Sequence, residues 1–181
     1  MLTLKFISFH FLPTGGKFGG TNKPTAGPQV EKALPKGKHA LQLHSLGTPN
    51  GVKVTALLEE LNLKYGTEYD AYTVNIFNGA QFDSGFVDAN PNSKIPALLH
   101  YKDGLDKPPL RVFETSAIMI YLCASFDKEN VFYPNIGYPK RAECRSWVMF
   151  TQGSAPSLLY LIHMSYPTRQ AESPYPVFCL R

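Results

Sequence analysis

The chain is poor in the residues that would mark several common chemistries. It has three cysteines, Cys123, Cys144 and Cys179, set far apart. None belongs to a C-x-x-C pair and none has zinc-ligand spacing, so a dithiol redox centre and a structural zinc site are both excluded. An odd count without a framework fits a reducing compartment. Charge is sparse too, at 18% of residues, and the net +4 is scattered. No basic block interleaves with aromatics, which argues against nucleic acid as a partner. No run approaches the roughly 20 apolar residues that cross a bilayer. The opening stretch MLTLKFISFHFLP is apolar but is interrupted by Lys5 and His10, and no clean small-residue cleavage site follows. The expectation is a cytoplasmic protein that does not enter membranes. With 44% hydrophobic residues in 181, there is enough apolar material for a core.

Residues 1–40 are rich in Gly, Pro, Lys and Thr and show neither helical nor strand periodicity, so on composition they read as an irregular arm. From Leu41 the pattern changes. Leu41, Leu43 and Leu46 with His44 among them give a short strand, broken by Gly47-Thr48-Pro49-Asn50-Gly51. Thr48 suits an N-cap and Pro49 the first helical position. Val52, Val54, Leu57, Leu58 and Leu61 recur at helical spacing, with Glu59 and Glu60 facing out. A strand over Tyr69–Ile76, a loop with a short helix over Gly79–Asn90, strands at Ile95–His100 and Leu110–Phe113, and an apolar helix over Glu114–Phe126 follow. The order β-α-β-(α)-β-β-α is a βαβ unit followed by a hairpin and a helix. A four-stranded mixed sheet with helices on both faces satisfies it, and this is the α/β thioredoxin-like layout. Beyond a linker, Arg141–Thr151 predicts another helix through Ala142, Trp147, Val148 and Phe150, stopped at Gln152-Gly153-Ser154-Ala155-Pro156. The expected division is an arm over 1–40, a thioredoxin-like domain over 41–128 and part of an all-helical domain over 129–181.

In such a sheet the chemistry sits at the turn from the first strand to the first helix, where unpaired N–H groups and the helix dipole favour a thiolate. The turn here holds Thr48 and Asn50 but no cysteine, so any thiol must arrive on a ligand. Asn92-Ser93-Lys94-Ile95-Pro96 opens a strand with a candidate cis proline, which would present the Ile95 N–H and C=O to an extended peptide. Glu114-Thr115 starts an apolar helix: Thr115 and the next N–H groups suit a carboxylate, and Glu114 suits an ammonium. Each element alone has a plainer reading, namely a helix cap, an ordinary trans bond and an exposed acid at a helix boundary. Together they fit a ligand with a charged amino-acid end, a peptide middle and a thiol end, and glutathione has these three features.

The blocks Gly47-Thr48-Pro49-Asn50-Gly51-Val52-Lys53-Val54, Asn90-Pro91-Asn92-Ser93-Lys94-Ile95-Pro96-Ala97-Leu98 and Arg111-Val112-Phe113-Glu114 resemble nu-class glutathione transferases. These are the bacterial and fungal enzymes related to the transferase-like domain of the yeast nitrogen-regulator prion protein. The resemblance extends through the arm at Asn22–Pro28 and Glu31–Pro35, through Gln81-Phe82, and through Trp147 to Gln152–Pro156. It implies a thioredoxin-fold domain, an all-helical C-terminal domain, a homodimer, weak conjugation of electrophiles and stronger glutathione-dependent disulfide reduction without a protein cysteine or a metal. It places Thr48 and Asn50, with Pro49 between them, at the glutathione sulfur as the catalytic pair. It places Lys94, Ile95 and Pro96 along the peptide and Glu114 and Thr115 at the γ-glutamyl end, with Asn22, Gln81 and Gln152 around the rest. It also implies that the arm is an ordered lid from about residue 20. The chain departs from the family at Thr115, where serine is usual, and over 157–181, which does not match and reads as a C-terminal truncation of the helical domain. Two other readings stand beside the enzyme: a glutathione-binding regulatory protein without turnover, and an inactive truncated isoform.

Overall fold

The computed structural model describes residues 27–154. Asn22 and the tail beyond 154 lie outside them. The elements run β1 (Leu41–Ser45), α1 (Pro49–Tyr65), β2 (Tyr69–Thr73), a 3-10 turn (Ala80–Phe82), α2 (Ser84–Ala89), β3 (Ala97–His100), β4 (Leu110–Phe113), α3 (Thr115–Phe126), α4 (Pro139–Met149) and a π-helical turn (Phe150–Ser154). The four strands form one mixed sheet in the order β2-β1-β3-β4. β1 is parallel to β2 and antiparallel to β3, and β4 is antiparallel to β3. This is the thioredoxin-like sheet that the element order predicts.

β1 is buried along its whole length because both faces of the sheet are covered. On one face Leu41 and Leu43 join Val54, Leu57, Leu58 and Leu61 of α1, Leu98 of β3, and Ile118 and Leu122 of α3. On the other, Ala97 and Leu99 pack with Val74 and with Phe86 and Ala89 of α2. The apolar spacing of α1 therefore reports its core face, except at Val52, which belongs to the expected stripe but is 55% exposed. α1 starts as its sequence prescribes: the Thr48 hydroxyl oxygen accepts from the Gly51 N–H at 3.3 Å, and Pro49 occupies the first turn. It stops at Gly66, whose φ of 68° is the left-handed conformation of a C-cap.

Gln42 and His44, which alternate with Leu41 and Leu43 along β1, point toward the face that carries the smaller cluster. His44 is fully buried and stacks on Tyr72 with ring centroids 5.1 Å apart. Neither ring nitrogen has a hydrogen-bond partner, and burial lowers its pKa from 6.5 to about 4. The described part of the arm closes over this side. Gln29 donates to the Phe82 carbonyl, Lys32 exchanges backbone and side-chain bonds with Ser84 and Gly85, and the His39 N–H donates to Asp70 Oδ2 at 2.8 Å. From residue 27 onward the arm is irregular, as its composition suggests, yet hydrogen-bonded to the domain.

Boundaries differ from the sequence expectation where the chain leaves the ladder. β2 stops at Thr73 and β3 starts only at Ala97, since the Pro96 ring removes a ladder donor. α4 covers Pro139–Met149 and then widens into the π turn, and none of its residues is buried. Its apolar residues Trp147 and Met149 are 59% and 52% exposed. Between the domain and α4, Asp127 gathers the linker: its carboxylate accepts from Tyr65 Oη at 2.8 Å and from the N–H groups of Val131, Phe132 and Tyr133 at 2.8–3.0 Å. Burial alone would raise its pKa, but these bonds outweigh burial and hold it below the ordinary carboxylate value. No helix among the described residues is long and apolar enough to cross a membrane.

Two predictions follow from this packing. A Cβ on Gly51 would run into the Leu46 carbonyl and the Ser45 hydroxyl, so Gly51→Ala is expected to cost about 1–3 kcal/mol in urea unfolding by lifting α1 off the sheet. Acid should destabilise the fold in two steps. The unfolded chain protonates His44 below pH 6.5 while the folded chain resists until about 4, so stability falls through that interval. The Asp127 contribution is complete above the unfolded carboxylate pKa and is lost as pH drops through the lowered folded value. Urea midpoints measured against pH should show both steps, and His44→Phe should flatten only the first.

Candidate functional site

The sheet register determines which loops meet. His44 near the end of β1 pairs with Ala97 at the start of β3, and Ala97 pairs with Phe113 at the end of β4. The β1–α1 turn, the segment before β3 and the start of α3 are therefore forced to one end of the sheet. There they enclose a cavity of about 150 Å³ lined by Asn50, Asn90, Lys94, Ile95, Pro96, Glu114, Thr115 and Gln152.

Three separate sequence signals thus converge on one cavity. Asn50 stands in the first turn of α1. The Ile95–Pro96 bond is cis, and Ile95 precedes the first residue of the β3 ladder. Glu114 is the N-cap of α3, and Thr115, only 2% exposed, is its first residue. Gln152 comes from the π turn after α4 and closes the remaining wall, and its Oε1 is buried without a partner. Thr48 and Pro49 share the start of α1 with Asn50 but do not line the cavity, although Thr48 shapes it by capping the helix. Gln81 is placed elsewhere: it sits in the 3-10 turn, 1% exposed, with both amide atoms unpartnered.

Asn90 was not singled out as a site residue. It is 1% exposed, its Nδ2 donates to the Lys94 carbonyl at 2.6 Å and its Oδ1 accepts from Asn92 at 2.9 Å. It fixes the bend that delivers Ile95 and Pro96, and the Asn-Pro-Asn turn cluster was the signal that could have marked it.

The helix ends at the cavity favour an anion, while Glu114 adds a carboxylate suited to a cation. Two helix N-termini, those of α1 and α3, border the cavity, and each carries unpaired N–H groups and positive dipole charge. Lys94 adds a cation whose pKa is lowered by burial. Among the described residues no cluster of three or more His, Cys, Asp or Glu could hold a metal ion. The described cysteines are poor nucleophiles. Burial pushes the Cys123 thiol up to about 12 and raises that of Cys144 as well, and neither lines the cavity. A second, apolar groove of about 690 Å³ shares Glu114 and Gln152 with the first and continues along Ala117, Ile120, Tyr121, Ala124 and Met149.

Glu114 is strained. Its φ is 70°, in a region that side-chain-bearing residues rarely adopt, and such positions gather at ligand sites. Glu114→Gly is expected to raise stability by about 0.5–1 kcal/mol in thermal unfolding while weakening ligand capture at the cavity.

Comparison with known proteins agrees with this architecture. Residues 48–125 match the model of the glutathione S-transferase N-terminal domain. The chain is 51% identical over 146 residues to the disulfide-bond oxidoreductase YghU of Escherichia coli, covering 80% of this chain and 48% of that protein. Among solved structures, glutathione transferase YghU from Streptococcus pneumoniae, complexed with glutathione, superposes with a TM-score of 0.71 at 44% identity, covering 87% of this chain and 58% of that one. A glutathione transferase from Pseudomonas putida with one glutathione disulfide bound per subunit gives 0.57 at 32% identity, covering 74% and 56%. The chain spans about half the length of the curated relatives it matches. With the sheet order, the cis proline and the matched segment in agreement, residues 48–125 of this chain belong to the glutathione S-transferase N-terminal domain family.

Proposed function

We propose that the cavity binds glutathione and that the chain uses it for thiol–disulfide exchange as a disulfide-bond reductase, with weak conjugation of electrophiles as a lesser activity. The observation that carries this reading is the convergence of Asn50, Ile95, Glu114 and Thr115 on one cavity that has no cysteine of its own. The glutathione thiolate would lie at the start of α1 near Thr48, Pro49 and Asn50. Lys94, Ile95 and Pro96 would hold the peptide, and Glu114 and Thr115 the γ-glutamyl ammonium and carboxylate. Gln152 would close the site, with Asn22 as a further contact. The apolar groove beside it would take the disulfide substrate or a second glutathione.

In the first step the thiolate sulfur attacks one sulfur of the substrate disulfide. A mixed disulfide with glutathione forms and the other half leaves as a thiolate. A second glutathione thiolate then attacks the glutathione sulfur of that mixed disulfide. Glutathione disulfide forms and the second substrate thiolate is released, so two glutathiones supply the two electrons. The protein's part is to raise the thiolate fraction and hold its direction of attack. The names of the relatives support this chemistry, one being called a disulfide-bond oxidoreductase and others holding glutathione or its disulfide. A homodimer, implied by the family resemblance, and a cytoplasmic location, inferred from the cysteine usage, complete the reading.

Two measurements test it. Glutathione at a hundred times its Kd should stabilise the chain by about 2.7 kcal/mol in thermal unfolding, and the absence of any shift with glutathione or its disulfide would remove the site. Asn50→Ala should lower kcat for disulfide reduction about tenfold or more while changing KM for glutathione little, the pattern of a contact made in the transition state. Ligand-induced stabilisation without turnover in the unsubstituted chain would support the non-enzymatic binding protein instead.

A further inference from the structure

The cavity residue assigned to the thiolate, Asn50, can present either of two opposite faces. Its carboxamide carries two donors on Nδ2 and an acceptor on Oδ1, and a half-turn exchanges them. Only the Nδ2 face stabilises a thiolate. The Oδ1 lone pairs would repel it. The group that selects between the two faces lies one helical turn deeper in α1. Lys53 Nζ donates to Asn50 Oδ1 at 3.3 Å and to the Thr151 carbonyl at 3.1 Å. An ammonium has donors and no acceptor, so Oδ1 has to face Lys53. The Thr151 carbonyl, from the π turn that carries Gln152, fixes the ammonium from the opposite side. Nδ2 is left as the face that Asn50 offers to the cavity it lines.

We infer that Lys53 is the positioning residue of the site, locking the Asn50 amide with its N–H donors toward the thiolate and tying that orientation to the turn bearing Gln152. The inference rests on the reading of the cavity as a glutathione site. Lys53 does not line the cavity, so its effect passes through Asn50. Lys53 is half-buried, and removal of its ammonium from water lowers its pKa. The other charged groups at the cavity, Lys94 and Glu114, are left in place by the substitutions below.

The full chain is compared with Lys53→Met, Lys53→Arg, Asn50→Ala and the Lys53→Met/Asn50→Ala double variant. The pKa of saturating bound glutathione is read from thiolate ultraviolet absorbance, and kcat and KM are measured with 2-hydroxyethyl disulfide as substrate. Lys53→Met should raise the bound-thiol pKa by about one unit and lower kcat about tenfold, with KM for glutathione within about twofold. Lys53→Arg, which keeps a donor-only head, should recover most of both. In the Asn50→Ala background Lys53→Met should add almost nothing, because the two act as one unit. An unchanged bound-thiol pKa in Lys53→Met overturns the inference. So does a full Lys53→Met effect that persists without the Asn50 amide, which would make Lys53 a direct charge on the thiolate. Both results leave the glutathione site standing. Failure of the unsubstituted chain to bind glutathione, or to lower its thiol pKa, instead removes the site and the inference with it.

Discussion

The antiparallel pairing of β3 with both of its neighbours is the constraint on which the rest of the molecule depends. It sets Ala97 between His44 and Phe113. The end of β1, the beginning of β3 and the end of β4 are thereby held within neighbouring strand spacings of about 5 Å. Sequence distances of more than forty residues between Asn50 and Ile95 collapse into one cavity wall. A one-residue slip would turn Leu98 from the larger cluster to the other face, so the burial of that leucine and the assembly of the site are secured by the same register.

On this frame the cavity acquires its character from main-chain groups more than from ionisable side chains. Two helices begin at its edge, and the first turn of each offers donors that no carbonyl of the same helix can satisfy. Such a surface suits a thiolate and a carboxylate. The chain's described thiols are partly buried and harder to ionise than usual, Cys123 pushed up to about 12. A scaffold that prepares a place for a thiolate and withholds its own cysteines is consistent with a thiol brought in from solution.

Much of the fold was legible because local signals agreed with tertiary ones. Thr48-Pro49 capped a helix where capping residues should, and the leucines of α1 recurred on the face that is buried. Val52 was misleading because an apolar stripe one residue wider than the contact leaves its margin in solvent. The composition of the arm was uninformative about its order. Its order comes from hydrogen bonds to Phe82, Ser84 and Asp70, which lie thirty to more than fifty residues away, and composition carries no trace of such pairing. Within the site, residues that act through side chains at a chain break or helix start were visible in the sequence. Asn90 and Lys53 were not, since each acts by fixing a neighbour: Asn90 through a bond to the Lys94 carbonyl, Lys53 through the Asn50 amide. Gln81 shows the limit of position-matching, as its amide is enclosed in the 3-10 turn and does not line the cavity.

The bond from Lys53 to Thr151 joins an early helix to the end of a later one, 98 residues apart. α4 has no buried residue of its own; among the described residues it is tied down by the Ser116 hydroxyl, which donates to the Val148 carbonyl at 3.2 Å, and by bonds from Arg141 and Arg145 to the Pro134 carbonyl and the Tyr133 hydroxyl. A molecule seated between Asn50 and Gln152 would span the same gap. By reciprocity, whatever free energy docking of α4 lends to that molecule is returned to α4 as firmness of docking. The occupant of the cavity would then serve as a removable rivet between the sheet domain and the helix beyond it.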